Sequence, residues 1–148
     1  DSKLIMVGDG PDKKKAKDFL RKNDLKNKVI FLGKTNEVDE ILCSSDLFLL
    51  PSEKESFGLA ALEAMALKIP VISSNVGGLK ELNINGNSGY TSEVGDIESM
   101  ANNAIEILSN EKLENKFKTQ AFENAKKYDI NKVIPLYEAI YKRAIKKS

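Results

Sequence analysis

Short apolar runs alternate with longer amphipathic segments along the first part of the chain. Four apolar runs predict buried strands, at residues 4–7, 29–32, 47–50 and 70–73. The segments between them predict helices at residues 11–23, around 38–42, from the turn at Glu55 to about Lys68, and at 79–82. Strands and helices that alternate in this way are typical of an α/β fold, in which a parallel, doubly wound sheet carries helices on both faces.

The last part of the chain predicts one short strand and three helices. Residues 83–95 are rich in Asn, Gly and Ser and predict an edge strand near Tyr90, and Asp96 predicts the N-cap of the next helix. The last helix is expected from about Lys132 to Lys146, with Pro135 in its first turn. The residues expected to face inward are Ile97, Ala101, Ala104, Ile105 and Leu108 in the first helix, Leu113, Phe117, Ala121 and Ala125 in the second, and Val133, Tyr137, Ile140, Tyr141 and Ala144 in the third. Some of these helices are expected to cover the sheet or to reach a neighbouring domain.

Composition and charge narrow the classes of partner. The chain has 148 residues, of which 41% are hydrophobic and 30% charged, and this indicates one soluble globular domain. Its net charge is +1 and only two residues are Arg, so we expect no nucleic-acid partner. No apolar run approaches the roughly 18 residues of a membrane span, so no integral membrane contact is expected. The chain starts at Asp1 without an initiating Met, which suggests a fragment.

Two residue types limit the chemistry. The chain contains no His, which excludes His-based triads and nearly all catalytic zinc sites within it. Cys43 is the single cysteine and cannot form an internal disulfide, so a reducing, cytoplasmic compartment is expected. Cys43 follows an amphipathic segment and is interpreted as a small buried hydrophobe.

The strand at residues 47–50 leads through a polar turn into a helix, and this junction predicts a ligand site. Glu55 is expected at the mouth of the helix, and Glu63, eight positions later, about 12 Å further along it and about 80° around its axis. Strand ends that lead into helix starts bind anions, because free N–H groups meet the positive end of the helix dipole. Gly58 near the helix start suggests that something approaches the backbone closely. This layout suits a ligand with hydroxyls at both ends and an anion between them, as in a nucleotide-sugar.

Two glycine turns allow two readings each. The turn at residues 8–11 follows the first strand and either cradles phosphate or is a plain turn, since the full Gly-x-Gly-x-x-Gly pattern is absent. The pair Gly77 and Gly78 follows the fourth strand and either approaches a ligand or forms a tight turn, which is the default interpretation.

The segment at residues 51–71 resembles the signature of the retaining glycosyltransferases of family 4, which have the two-domain GT-B architecture. Glu55 and Glu63 match the Glu-x7-Glu pattern of that family. Further matches in the same order and spacing extend the resemblance over nearly the whole chain: Val7–Pro11, Phe31–Gly33, Ser45–Asp46, Val76–Gly78 with Glu81, and Asn85–Gly86 with Gly89–Tyr90. The resemblance implies that residues 1–148 form one Rossmann-like donor-binding domain, the C-terminal half of a GT-B enzyme, truncated at its N-terminus and lacking the acceptor domain.

The resemblance also implies roles for individual residues. Glu55 would contact the sugar hydroxyls and is the expected catalytic residue, while Glu63 would bind the ribose hydroxyls. Other substrate contacts are expected from Ser56, Phe57, Gly58 and Leu59 around the sugar and diphosphate, from Lys34 and Thr35 near the uracil, and from Gly8. The family's Arg and Lys that bind the diphosphate precede the first residue of this chain, so the isolated chain is expected to be folded but inactive.

The implied donor is UDP-N-acetylglucosamine, and the favoured acceptor is L-malate, as in bacillithiol synthesis. Front-face attack would retain the configuration of the sugar. Neither a metal nor a cofactor is expected. Whether the protein forms a homo-oligomer is left open. Another hexosyltransferase of cell-surface polysaccharide synthesis is the alternative within the family. Outside it, a nucleotide-sugar epimerase is disfavoured by the lack of His, and a nucleotide-responsive regulatory module would need an acidic cluster that Asp9 alone does not supply.

Overall fold

The computed structural model describes residues 2–145, which divide into two compact units between Ile41 and Leu42. The first unit contains strand β1 (Leu4–Val7), helix α1 (Lys13–Lys22), strand β2 (Val29–Gly33) and the start of helix α2 (Val38–Cys43). β1 and β2 pair in parallel, with Leu4 opposite Val29, so both predicted strands are confirmed. The predicted burial of β1 is wrong, because all four of its residues are exposed in the described structure. α1 begins two residues after Pro11, because residues 11 and 12 form a turn.

The second unit is built on a three-stranded parallel sheet. Its strands are β3 (Phe48–Leu50), β4 (Val71–Ser74) and β5 (Gly89–Ser92), with β4 in the centre. Its helices are α3 (Leu59–Ala66), α4 (Leu79–Leu82), α5 (Ile97–Ser109), α6 (Glu111–Ala125) and α7 (Ile130–Ile145), and a 3₁₀ turn at Lys126–Tyr128 precedes α7. All strand pairs in both units are parallel and helices alternate with strands, which confirms the α/β class. β5 pairs only with β4 among the strands, as expected of the edge strand predicted near Tyr90.

The core of the second unit lies on the central strand. All four residues of β4 are buried, and Ile72 packs with Ile107 of α5 and Phe117 of α6. A buried amide ties β4 to β5, because the Asn83 Nδ2 donates to the carbonyl oxygens of Val71 and Tyr90 and to a serine hydroxyl of β4. The sheet is therefore fixed both by apolar packing and by buried hydrogen bonds.

The predicted inward face of α5 is wrong at most of its positions, and only Ala104 among them packs against the core of the described residues. Ile97 is 79% exposed and Ile105 is 64% exposed, whereas Ile107 is fully buried. The Asp96 side chain accepts a hydrogen bond from the N–H of Ser99 and fixes where the helix starts, and the contact of Ile107 with the core fixes its rotation. The spacing of apolar residues along the chain could not decide which side of α5 faces the core, because the stripe with Ile105 and the stripe with Ile107 overlap.

The last helix differs from the prediction in three ways. It begins at Ile130, because Asp129 accepts the N–H of Asn131, so Pro135 lies beyond the first turn and cannot donate to the carbonyl of Asn131. Val133 is half-buried, but Tyr137, Ile140, Tyr141 and Ala144 are exposed, so most of the predicted inward face is not covered by the described residues. The predicted end at Lys146 lies outside the described residues.

Candidate functional site

The turn that carries Glu55 lies between the end of β3 and the start of α3. Residues 55–58 are not helical, and α3 begins only at Leu59. Gly58 is the N-cap and has a φ of 98°, in the left-handed region that favours glycine. The helical distance and angle predicted between Glu55 and Glu63 are therefore wrong, because four residues of turn precede the helix.

The turn at Gly77 and Gly78 holds the Glu55 turn in place. A Cβ added at Gly77 would lie 1.7 Å from the carbonyl oxygen of Glu55, and one added at Gly78 would lie 2.7 Å from that of Ser56. The N–H of Gly78 donates to the same Ser56 oxygen at 3.2 Å. The two glycines are thus required by backbone contact between the turns that follow β3 and β4.

Side chains of the same unit pack against the other end of the Glu55 turn. A Cβ at Gly58 would lie 2.4 Å from Cδ2 of Leu79, so the group that approaches this backbone belongs to the fold itself. The Phe57 ring contacts the Tyr128 ring edge to face, with centroids 5.3 Å apart, and the Tyr128 hydroxyl donates to the carbonyl oxygen of Glu81 at 3.4 Å. The turn is therefore supported along its whole length.

The N-terminus of α3 presents free N–H groups. Gly58 provides no side-chain cap and the first turn holds no acidic residue, whereas α5 is capped by Asp96 and α6 by Asn110. The first N–H groups of a helix have no partner inside it, and the helix dipole leaves them electropositive. The Glu55 Oε1 accepts the N–H of Ser56 at 3.1 Å. An anion at this end of α3 would thus meet N–H donors with a carboxylate beside them.

Glu63 lies on the outer face of α3. It is exposed, as is Leu59 four residues before it, while Ala61, Ala64 and Met65 form the buried face. Residues four apart share a face of a helix, so the Glu63 carboxylate lies one turn beyond the free N–H groups and on the side of Leu59.

The first unit brings together its own predicted site residues. The loops after β1 and β2 are adjacent, since the N–H of Gly8 donates to the carbonyl oxygen of Gly33 at 2.7 Å. Gly8 has a φ of 113° and a Cβ there would meet no atom within 4 Å, so the loop is open. Lys34 is exposed, and the Thr35 hydroxyl accepts the N–H of Glu37 at 3.1 Å.

Asp9 and Lys13 add a charged pair beside these loops. The Lys13 Nζ lies 3.4 Å from Oδ1 of Asp9 and 4.0 Å from a Cβ built at Gly33. The N–H of Gly10 and the Lys13 ammonium both lower the pKa of Asp9. Lys13 was not among the predicted site residues, although its spacing of four from Asp9 at a helix start is a signal for such a pair.

Comparison with known proteins identifies the family. The family profile described as "Glycosyl transferases group 1" matches residues 1–124. The chain belongs to the group 1 glycosyltransferases. It is 42% identical over 142 residues to the N-acetyl-alpha-D-glucosaminyl L-malate synthase of Bacillus anthracis, with 95% of this chain and 37% of that protein covered.

A second relative and a solved structure show the same family. The glycosyltransferase chain is 35% identical over 114 residues to an Escherichia coli enzyme named UDP-Gal:alpha-D-GlcNAc-diphosphoundecaprenol alpha-1,3-galactosyltransferase, with 76% of this chain and 30% of the relative covered. The crystal structure of the C-terminal domain of the group 1 glycosyltransferase LpcC from Francisella tularensis superposes with a TM-score of 0.79 at 28% identity, with 86% of this chain and 70% of that one covered. The solved neighbours of the chain are GT-B glycosyltransferases, which confirms the expected fold family. The chain thus spans well under half the length of the two relatives.

The predicted site residues fall into the two units separately. Glu55, Ser56, Phe57, Gly58, Leu59 and Glu63 lie together around the start of α3, and Gly8, Lys34 and Thr35 lie together at the loops after β1 and β2. Their roles in binding stay predictions. Tyr128 supports the Glu55 turn through its ring contact with Phe57. The sequence did not reveal this role, since Tyr128 lies far along the chain in a short turn without a recognisable motif.

Two kinds of feature are absent from the described residues. Between residues 2 and 145, no group of three or more His, Cys, Asp or Glu side chains is placed to hold a metal ion. Within the same range, no helix is both long enough and apolar enough to cross a membrane.

Proposed function

We propose that residues 1–148 form the donor-binding domain of a retaining glycosyltransferase that transfers N-acetylglucosamine from UDP-N-acetylglucosamine to L-malate. The observation that carries this proposal is the 42% identity, over 95% of the chain, to a protein named for that product. The likeness to a solved C-terminal domain of the same family supports the domain assignment. The acceptor would bind on a further domain of the longer protein.

The start of α3 supports the donor role by its chemistry. The free N–H groups at Gly58 and Leu59 suit the diphosphate, since backbone donors and the helix dipole stabilise negative charge without a metal ion. The Glu55 carboxylate would accept hydrogen bonds from sugar hydroxyls, and Ser56 and Phe57 would complete the sugar contact. The exposed Glu63 carboxylate would accept hydrogen bonds from the ribose.

The residues of the first unit are proposed as nucleotide contacts. Gly8 offers an open, glycine-lined loop to a phosphate, and Lys34 and Thr35 offer an exposed ammonium and a hydroxyl near the uracil. The Lys13 ammonium lies beside the same loops and is a further candidate for the phosphates.

The proposed reaction breaks the bond between the sugar C1 and the diphosphate oxygen and forms a bond from C1 to the malate hydroxyl oxygen. Attack occurs on the face that the diphosphate leaves, so the configuration is retained. The proton of the hydroxyl moves to an oxygen of the departing diphosphate. Glu55 would hold the sugar and stabilise the positive charge that develops at C1, which makes it the proposed catalytic residue.

Transfer of a different hexose is the second candidate. The 35% identity to an enzyme named as a UDP-Gal galactosyltransferase supports it, because the two relatives are named for the transfer of different sugars. The choice between them therefore depends on the sugar contacts of the Glu55 turn.

Binding measurements on two variants test the proposal. We would titrate the ¹⁵N-labelled chain with UDP, UDP-glucose and UDP-N-acetylglucosamine and follow the amides of Gly58, Leu59 and Glu63. Glu63→Gln should weaken all three ligands about tenfold, whereas Glu55→Gln should weaken only the two sugar nucleotides, since a hydrogen bond to a charged group contributes about 1.5–3 kcal/mol. Glu111→Gln, in the first turn of α6, is the matched control and should leave binding unchanged.

The sugar nucleotide that binds most tightly decides between the two candidate functions. The largest shifts and tightest binding with the N-acetyl sugar would support the malate synthase assignment, and a preference for UDP-glucose would support the second candidate. If UDP shifts none of the three amides in the folded chain, the titration is repeated on the longer protein that supplies the diphosphate-binding Arg and Lys. Absence of shifts there as well would show that the donor role of the α3 start is wrong.

A further inference from the structure

A polar cleft of about 530 Å³ lies on the β5 side of the sheet of the second unit, at the same carboxyl end as the Glu55 turn. It is lined by residues that directly follow two parallel strands, Asn75 after β4 and Glu93 after β5, and by Ser99, Asn102 and Asn103 of α5. The carboxyl ends of parallel strands are where α/β sheets bind ligands, and ligand pockets commonly measure about 300–1,000 Å³. The position and the volume of the cleft thus suit a small ligand.

The lining residues select the class of ligand. Among those that the described chain contributes, none is Lys, Arg or His, and two, Glu93 and Asp96, carry negative charge. A phosphate or carboxylate ligand is therefore disfavoured. Residues 2–145 also contain no group of three or more acidic, Cys or His side chains placed to hold a metal ion, so the cleft has no metal site of that kind.

The remaining lining groups suit hydroxyls. Four asparagine amides line the cleft, namely Asn75, Asn85, Asn102 and Asn103, together with the hydroxyls of Thr91, Ser92 and Ser99. An amide both donates and accepts hydrogen bonds, and a carboxylate accepts them. Vicinal hydroxyls need donors and acceptors side by side, so this set suits a carbohydrate ring.

Several of these side chains are already held in place. The Asn75 Nδ2 donates to Oε1 of Glu93 at 2.9 Å and joins the ends of β4 and β5. The Asn85 Oδ1 accepts the N–H of Thr91 at 2.9 Å. Side chains fixed by such bonds lose little conformational freedom when a ligand binds, which favours affinity.

Ser74, the residue before Asn75 of the cleft, provides an independent observation. Its Oγ is buried and has no hydrogen-bond partner among residues 2–145. Ser74 is paired with Ser92, which lines the cleft, and it lies on the sheet face of Ile72, which packs against α5. Buried hydroxyls normally have hydrogen-bond partners. The Ser74 hydroxyl therefore lacks a partner that the described residues do not supply.

We infer that this cleft binds an uncharged carbohydrate, about the size of a mono- or disaccharide, through its hydroxyl groups. The site is built from the ends of β4 and β5 and the first turns of α5, and its chemistry does not depend on the proposed donor role of the α3 start. An acceptor or product sugar of a glycosyltransferase is a ligand of this class.

Titration of the ¹⁵N-labelled chain with methyl α-D-glucopyranoside and with N-acetylglucosamine tests the inference. We expect saturable shifts of the side-chain amides of Asn75, Asn102 and Asn103. Asn102→Ala should weaken binding about fivefold, since one hydrogen bond typically contributes about 1 kcal/mol. Asn115→Ala, an exposed asparagine of α6 outside the cleft, should bind as the unchanged chain does.

Two further titrations separate this site from the proposed function. UDP should shift the amides around the start of α3 and leave the cleft amides unchanged, and its failure to bind would count against the donor role alone. Sugar shifts that stay linear, or that are the same in Asn102→Ala, would overturn the inference, as would saturation of the cleft amides by Mg²⁺ in place of sugar.

Discussion

Replacing Gly77 by Ala tests whether the contact between the two turns holds the Glu55 turn in place. The new Cβ would lie 1.7 Å from the carbonyl oxygen of Glu55, whereas real Cβ contacts are essentially never closer than 3.0 Å. The atom it meets belongs to the backbone, so the turn itself must move by more than an ångström. The φ of 48° adds strain for any residue with a side chain.

The structure gives a magnitude for this change. A left-handed conformation costs an alanine about 1–2 kcal/mol, and forcing extra volume into a packed site costs about 1–3 kcal/mol. We therefore expect Gly77→Ala to lower the free energy of unfolding by about 2–5 kcal/mol, measured by urea denaturation. Gly86→Ala is the matched control, because Gly86 has a φ of 73° with no atom within 4 Å of its Cβ. Gly86→Ala should therefore lose only the about 1–2 kcal/mol that the left-handed conformation costs an alanine.

A second measurement links the contact to the site. Amide shifts in Gly77→Ala should be largest at Glu55 and Ser56, whereas those in Gly86→Ala should stay local. Equal losses of stability in the two variants, with no shift at Glu55, would refute the reasoning that the Gly77 turn supports the Glu55 turn.

Three other predictions concern single side chains. Tyr128→Ala should destabilise the chain by about 2 kcal/mol more than Tyr128→Phe in urea unfolding, because only the first loses the ring contact; equal losses would assign the effect to the hydroxyl. Asn83→Ala should cost about 3 kcal/mol by leaving buried polar groups unpaired, and Asn87→Ala, in the exposed loop, about 0.5 kcal/mol or less; similar losses would contradict the role of the buried amide. The hydroxyl and N–H of Ser99 lower the pKa of Asp96 from its usual value of 3.8, so its contribution is present above that value and is lost as the pH falls through the lowered pKa. In Asp96→Asn, the free energy of unfolding should not show this loss at low pH. If its pH dependence is the same as in the unchanged chain, Asp96 is not the source of the loss.

Much of the secondary structure could be read from the order of the residues. The strands β1 to β4 fall within one residue of the four apolar runs, and β4, which is buried on both faces, shows why: a strand enclosed in a parallel sheet needs apolar residues on both faces. The start of α5 could be placed because Asp96 is a residue type that caps helices, and its side chain does accept the N–H of Ser99. These features depend on neighbours within a few positions.

The candidate site was located by the same means, but its geometry was not. A strand followed by a polar turn and a helix marks the segment around Glu55 and Glu63, because that junction gathers unpaired N–H groups. The helical distance between the two carboxylates was wrong, since Gly58 adopts a positive φ that begins the helix four residues after Glu55. A single left-handed residue changes the path of the chain, and glycine permits such a residue without requiring it.

The sequence by itself determined which segments become strands and helices, where the α3 junction lies and which family the chain resembles. Only the tertiary structure decided that Gly77 meets the Glu55 carbonyl, that Tyr128 supports Phe57 and that α5 turns Ile107 inward. The physical reason is that local patterns fix the conformation of a short segment, whereas the contact surface of that segment depends on distant residues that fill the remaining space. A glycine required by a neighbouring backbone and a glycine required by a turn have the same letter in the sequence, and only packing distinguishes them.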